Sequence, residues 1–335
     1  MQQRKIAVLG AGSWGTALSM VLANNGYGVQ LWDRDLSLME TIQKTGNNER
    51  YLHNIVLPKS IKGCLTLSEA LEGTLESLIV VPSHGFKALL QTMKPLIDKI
   101  SRDYRIIWAT KGLDPEAGEF LDKIVAEELG ADRCAAVLSG PSFAKEVALG
   151  VPTAVMLAAK DAAFRKEAAS FFANKVFSLD LTDDLTGVQL GGVVKNILAV
   201  AAGLAEGLGF GANTVAALVT HGLAEMRVLG EAVGAKRETL MGLAGCGDTI
   251  LTCTDNQSRN RRLGLALASG LTLEAAIEEI GQVVEAIHNV TQIMELLKRY
   301  KVTMPIVEQV YRIMKEGAEP RAGILSLFNK ASQDA

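Results

Sequence analysis

Ile6-Ala7-Val8-Leu9-Gly10-Ala11-Gly12-Ser13-Trp14-Gly15 is the stretch on which the fold turns. A short apolar run passes into G-x-G-x-x-G, and an amphipathic stretch, Gly15–Asn25, follows at once. In that order the glycines have separate tasks. Gly10 permits a tight turn, Gly12 lets backbone approach a pyrophosphate, and Gly15 lets helix and strand pack closely. The N–H groups opening the helix, with the positive end of its dipole, suit phosphate. A lone G-x-G-x-x-G is weak. Between a strand and a helix it predicts a dinucleotide site.

Working outward, the next strand pattern, Val29–Trp32, ends in Asp33-Arg34-Asp35. An acid at this point takes the adenosine ribose hydroxyls of NAD, whereas an arginine pairs a 2′-phosphate. Both are present. Arg34 favours NADP, and Asp33 leaves NAD open.

Four more apolar runs read as strands: Leu78–Val81, Arg105–Ala109, Ala135–Leu138 and Thr153–Leu157. Helical periods at Lys87–Ile100 and Pro115–Leu129, the latter with Pro115 near its first turn, separate several of them. Strands alternating with helices predict a mainly parallel sheet covered on both faces. From about Asp184 the strand signal fades. Asp183 or Asp184 is placed to cap a long helix. Further helical patterns occupy Asn213–Val233, Arg261–Ala268, Leu273–Ile280, Val284–Arg299 and Pro305–Lys315, with Thr272 and Ser269 as caps. The expected organisation is an α/β dinucleotide-binding domain over 1–185 and an all-α substrate-binding domain over 186–335.

Composition agrees with a two-domain globular chain. It has 335 residues, is 48% hydrophobic and 21% charged, and carries a net charge of −3. That is too apolar for disorder, and the acidic balance disfavours a nucleic-acid partner. Cys64, Cys134, Cys246 and Cys253 show no metal-ligand spacing, so reduced cytoplasmic thiols and no metal are expected. The apolar start at Ile6 is too short for a signal peptide. Leu185–Leu204 approaches a membrane span in length but holds Gln189, Lys195, Asn196 and several glycines, which suits a buried core helix better.

Ligands of doubly wound sheets lie beyond the carboxyl ends of the strands. Three strand patterns end there in polar clusters: Pro82-Ser83-His84, Thr110-Lys111-Gly112 and Ser139-Gly140-Pro141-Ser142. Lys111 is either a nicotinamide-side cation or a solvated loop charge. The Ser139–Ser142 turn suits an anion or a helix cap, and His84 is a candidate cofactor contact. Lys195 is the one charge in an apolar run and must find a partner, snorkel or lose its proton. Desolvation lowers a lysine's pKa, which makes general acid/base work the favoured reading over snorkelling. Gly191 and Gly192 disfavour helix by about 1 kcal/mol each, so close backbone packing is expected there. Gly245-Cys246-Gly247-Asp248 leads to Ser258-Arg259-Asn260-Arg261-Arg262. There guanidinium, amide and helix N–H groups suit phosphate, against the plainer reading of a capped helix with solvated arginines.

Six motifs in this order carry a resemblance over nearly the whole chain. They are Gly10–Gly15, Ala109-Thr110-Lys111-Gly112, Leu138–Ala144, Val194-Lys195-Asn196, Gly245–Asp248 and Ser258-Arg259-Asn260. The sequence resembles the bacterial NAD(P)-dependent glycerol-3-phosphate dehydrogenases. The resemblance implies a Rossmann-type domain, an all-helical domain and an active site between them. It implies reversible reduction of dihydroxyacetone phosphate to sn-glycerol 3-phosphate, supplying phospholipid synthesis, by a cytoplasmic homodimer. It also implies roles by position. Lys195 is the general acid/base, and Lys111 touches substrate and cofactor. Asn196 and Asp248 bind or orient the substrate oxygens, and Ser258, Arg259 and Asn260 hold the phosphate, with Gly140 and Ser142 lining the site. Gly10, Gly12, Ser13, Trp14, Gly15, Arg34, Lys111, Ala144, Arg259, Val283 and Glu285 contact the dinucleotide. Two other functions fit parts of the pattern: a dehydrogenase of another small hydroxy acid, and a nucleotide-responsive regulator without turnover.

Overall fold

The computed structural model describes residues 3–329. Eight strands form one sheet: β1 (Lys5–Leu9), β2 (Gly28–Trp32), β3 (Ile61–Cys64), β4 (Thr74–Ile79), β5 (Arg105–Trp108), β6 (Ala135–Ser139), β7 (Thr153–Ala159) and β8 (Phe177–Thr182). Their spatial order is β3-β2-β1-β4-β5-β6-β7-β8. Strands β1 to β6 run parallel, β7 is antiparallel to β6, and β8 is parallel to β7. The mainly parallel α/β sheet expected from the alternating pattern is therefore present. The chain leaves β1 toward β2 and β3, then returns to place β4 on the opposite side of β1. That reversal opens a crevice at the carboxyl ends of β1 and β4, where the glycine loop emerges.

All six strand patterns mark real strands, with shifted ends. β4 begins at Thr74, four residues before its apolar signal, because its polar residues are buried in pairs. Tyr104 Oη shares hydrogen bonds with the hydroxyls of Thr74 (2.8 Å) and Ser77 (2.6 Å). Glu76, fully buried, meets Arg4 at 2.6 Å and also pairs with Arg105. The two strands without a sequence signal, β3 and β8, are the sheet edges. β3 contains Lys62 and Gly63, and β8 is exposed at Ser178, Asp180 and Leu181, so neither shows a long apolar run.

Helices of the first unit are α1 (Ser13–Asn24), α2 (Leu36–Thr45), α3 (Leu67–Leu71), α4 (Phe86–Ile100), α5 (Leu121–Leu129), α6 (Ala144–Ala148) and α7 (Ala162–Phe172). The helix expected over Pro115–Leu129 is shorter than its pattern, and Pro115 is not in its first turn. The N–H of Asp114 donates to Glu119 O (2.9 Å) and closes a loop, within which Gly118 has φ +61°. Arg299 Nη2 donates to Ala117 O (3.1 Å). These bonds satisfy backbone groups outside a helix, so α5 starts only at Leu121. By compactness the chain forms two units. The first runs to Asp114 and resumes at Glu119–Leu185; the second takes Pro115–Gly118 and everything from Thr186.

The second unit is all helical among its described residues. It comprises α8 (Leu185–Gly207), α9 (Ala212–Val233), α10 (Arg237–Met241), α11 (Asp248–Thr254), α12 (Arg259–Ala268), α13 (Leu273–Ile280), α14 (Ala286–Tyr300), α15 (Pro305–Lys315) and α16 (Pro320–Asn329). Thr272 caps α13 by accepting from Ala275 N (3.2 Å); Ser269 stands at the C-terminal cap of α12 instead. α8 is long and apolar enough to span a membrane, yet its apolar window is wholly buried. Its glycines account for the packing. A Cβ on Gly191 would lie 2.4 Å from Ala244 O. A Cβ on Gly203 would lie 2.1 Å from Arg261 O, and one on Gly264 2.2 Å from Val200 O. Backbone thus meets backbone where α8 crosses α12, which offsets the helical penalty of glycine. Gly203→Ala must push α12 outward. We expect a loss of roughly 1–3 kcal/mol, read as a lower denaturation midpoint at unchanged m value. An unchanged midpoint would refute the close approach.

Candidate active site

The first unit carries a loop cluster at the carboxyl ends of its strands. Gly10 N donates to Trp32 O (2.7 Å) and Val80 N to Leu9 O (2.8 Å), so the turn leaves β1 held on both sides. Gly10 has φ +116°, and a Cβ there would sit 2.5 Å from Val80 O. A Cβ on Gly15 would lie 1.9 Å from Gly10 O. Protein packing therefore requires both glycines. Gly12 differs: a Cβ there meets nothing within 4 Å. The backbone there faces open space, which leaves room for a group laid against the loop. Gly12 is the N-cap of α1 and no side chain caps the helix, a helix start of the kind that suits an anion. Ser13 Oγ donates to Tyr51 O (3.1 Å), and the Trp14 indole N–H is buried without a hydrogen-bond partner among the described residues.

At the end of β2, the two candidates for the adenosine end are separated by their bonding. Asp33 accepts from Ala11 N (2.8 Å) through Oδ2 and from Asp35 N (3.0 Å) through Oδ1. Its carboxylate thus braces the glycine loop. Asp35 caps α2 and pairs with Arg50 at 2.6 Å. Arg34 is exposed and makes no ion pair or hydrogen bond among the described residues. Neither neighbouring aspartate pairs with it.

Lys111, after β5, reaches Gly140 O at 3.4 Å, and Ser142 Oγ donates to the same carbonyl at 2.9 Å. Two of the polar strand-end clusters therefore converge. Gly140 has φ +152°, and a Cβ on it would press on Val155 Cα at 2.9 Å. Ser139 Oγ beside it is buried with no partner among the described residues, and Ala144 opens α6. His84 lies exposed in a short 3₁₀ turn, Ser83–Gly85, ahead of α4.

The second unit holds a different cluster. Lys195, midway along α8 and 7% exposed, donates to Asp248 Oδ1 at 2.5 Å and to Thr252 Oγ1 at 3.0 Å. Of the fates open to a lysine in an apolar helix, this one has found partners. Asp248 begins α11 after a wide π turn, Leu243–Gly247, closed by Gly247 N to Gly242 O (3.1 Å). Asp248 and Thr252 are four residues apart and so share a helix face. The sequence did not single out Thr252; only the packing of α11 against α8 brings its hydroxyl to Lys195.

Asn196, next in the chain, accepts from Asn260 Nδ2 (2.8 Å) and donates to Asn289 Oδ1 (2.9 Å) and Gly192 O (3.3 Å). Ser258 caps α12, accepting from Arg261 N at 3.2 Å. Arg259 is the first residue of that helix and half-buried. Arg261 is internal: Nε donates to Cys253 O (3.0 Å), and its other nitrogens meet Asn256 and Glu206. The basic run is thus not a solvated stripe of three arginines. Val283 is exposed. Burial pushes the Glu285 carboxyl up to about 7, while the charge of Arg259 pulls it down. All four cysteines are free, and burial pushes the Cys64 and Cys253 thiols up to about 12. No cluster of metal-ligating side chains occurs among the described residues.

Comparison with known proteins places this geometry. The N-terminal family model of the NAD-dependent glycerol-3-phosphate dehydrogenases matches residues 5–165, and the C-terminal model residues 184–324. Glycerol-3-phosphate dehydrogenase of the NAD(P)+ type from Idiomarina loihiensis is 46% identical, over 98% of this chain and 98% of its own. The enzyme from Shewanella halifaxensis is 49% identical, over 94% of this chain and 92% of its own. A crystal structure of glycerol-3-phosphate dehydrogenase from Coxiella burnetii shares 45% identity and matches with a TM-score of 0.94. The match covers 97% of this chain and 99% of that one.

Proposed function

Because the chain belongs to the family of NAD-dependent glycerol-3-phosphate dehydrogenases, we infer that it is a glycerol-3-phosphate dehydrogenase using NAD(P)(H), and we propose how its own residues act. The reaction interconverts dihydroxyacetone phosphate and sn-glycerol 3-phosphate, and the bound nicotinamide supplies or accepts the hydride. Lys195 is the general acid/base. In the reducing direction Nζ gives a proton to the oxygen on C2 as hydride arrives at that carbon, and it takes the proton back in the reverse direction. Asp248 and Thr252 aim that nitrogen. The observation that carries this reading is the buried Lys195–Asp248–Thr252 cluster inside an otherwise apolar helix.

Arg259 and Asn260, at the start of α12, hold the substrate phosphate, with Ser258 fixing that helix start. Gly140 and Ser142 line the site, and Lys111 adds positive potential. Both N–H groups of Asn196 are engaged within the protein, so it acts by orienting Asn260. On the dinucleotide side, Gly10, Gly12 and Gly15 shape the loop, and Ser13, Trp14, Ala144, Val283 and Glu285 contact the cofactor. Arg34 takes the 2′-phosphate of NADP, since Asp33 is engaged with the loop backbone. The product feeds phospholipid synthesis, and the enzyme works in the cytoplasm as a homodimer.

The test is loss of NAD(P)H absorbance with dihydroxyacetone phosphate, NADPH and NADH compared at equal concentration. Faster loss with NADPH, and an Arg34→Ala variant that loses roughly tenfold in NADPH affinity but little for NADH, is the expected result. Equal rates would return the ribose contact to Asp33. Binding without turnover would remove the substrate assignment.

A further inference from the structure

We propose that Asn289 and Gln292, on one face of α14, are positioning residues that hold the Asn260 amide in place through Asn196, in the direction that backbone groups dictate. This rests on the substrate role assigned to Asn260 above.

The four side chains form one line of hydrogen bonds: Asn260 Nδ2 to Asn196 Oδ1 (2.8 Å), Asn196 Nδ2 to Asn289 Oδ1 (2.9 Å), and Asn289 Nδ2 to Gln292 Oε1 (3.2 Å). All four are buried. An amide has two nearly equal-shaped ends, and here backbone groups settle which end goes where. Ala286 N can only donate, and it donates to Asn260 Oδ1 at 3.1 Å. The NH2 of Asn260 must then face Asn196, which must answer with its oxygen. The NH2 of Asn196 turns to Gly192 O, which can only accept, and to Asn289. Asn289 must therefore present its oxygen, and Gln292 accepts from the NH2 left behind.

Every member has one allowed orientation, and each reversal leaves a buried donor facing a donor. Asn260 uses one amide N–H inside this line; the other is the donor available to a substrate oxygen. The Asn260–Ala286 bond also ties α12 to the start of α14, next to Glu285. Nothing in a helical pattern calls for asparagine at 289 or glutamine at 292. Both interrupt the buried face formed by Ala286, Val290 and Ile293, and the line of amides accounts for them.

The test is a kinetic cycle on the full-length enzyme. Asn289→Leu keeps the volume and removes the acceptor. Its KM for dihydroxyacetone phosphate should rise about tenfold, with kcat and the KM for NADPH within about threefold. Asn289→Asp keeps an oxygen facing Asn196. That variant should restore the substrate KM to within about threefold. In an Asn260→Ala background, Asn289→Leu should change the substrate KM less than twofold, because the residue it acts through is gone. An unchanged KM in Asn289→Leu, the same tenfold effect without Asn260, or an Asp variant as impaired as the Leu variant would each overturn the proposal. If Asn289→Leu does not fold, Asn289→Ala runs the same cycle. Failure of the underlying reading looks different: wild-type enzyme would not reduce dihydroxyacetone phosphate, or Asn260→Ala alone would leave its KM unchanged.

Discussion

Lys195→Met is expected to lower kcat by about a hundredfold to ten-thousandfold while leaving dinucleotide affinity unchanged. The lower bound is the usual contribution of a positioned general acid. The upper bound applies if the same nitrogen also stabilises charge developing on the substrate oxygen. The substitution has a second consequence. It leaves Asp248, 1% exposed, without its cation, and removing one partner of a buried ion pair costs about 3–5 kcal/mol. Loss of turnover must therefore be separated from loss of fold. The double variant Lys195→Met/Asp248→Asn removes both charges and keeps a polar group beside Thr252. It should recover most of the stability and none of the turnover. Thermal denaturation, dinucleotide binding and single-turnover reduction, measured on both variants, make the distinction. Turnover within tenfold of wild type in either would show that the proton comes from elsewhere.

Arg259→Ala should raise the KM for dihydroxyacetone phosphate by about tenfold to a hundredfold, with a smaller loss in kcat. Hydrogen bonds to charged groups contribute about 1.5–3 kcal/mol, and a guanidinium can offer phosphate two at once. Arg259→Lys keeps the charge but not the planar fork, so it should fall between the two. Arg261→Ala provides the contrast. Its guanidinium holds Cys253 O, Asn256 and Glu206 within the unit, so its loss should lower stability before it alters substrate affinity. A substrate KM that moved with Arg261 and not with Arg259 would reverse these assignments.

Two residues of one sequence run, two positions apart, thus have unlike surroundings, and spacing alone does not separate them. Arg259 and Arg261 differ in what their helix turns them toward, which depends on where α8 and α11 lie. The same holds at the end of β2. The sequence favours Arg34 as a phosphate contact and leaves Asp33 open as a ribose contact; only the structure shows Asp33 bonded to Ala11 and Asp35.

What was legible in the sequence was whatever depends on period, backbone freedom or the cost of burying charge. The strand–glycine–helix order announced the sheet and the dinucleotide loop, because only glycine fits at Gly10 and Gly15. The apolar run announced α8, and the cost of burying its one charge marked Lys195 without saying whether it would find a partner, snorkel or lose its proton. The edge strands β3 and β8, the truncated start of α5, the identity of Thr252 and the amides of α14 were not legible. Each depends on groups far apart in the chain that meet only when elements pack. Edge strands bury too little apolar surface to show a pattern. The Pro115–Gly118 loop is held by Arg299, from a helix more than a hundred and fifty residues later. An amide's direction is set by hydrogen bonds from three different helices. Local energetics determine which elements form; the partner that completes a buried polar group is a matter of tertiary proximity, on which the order of residues along the chain is silent.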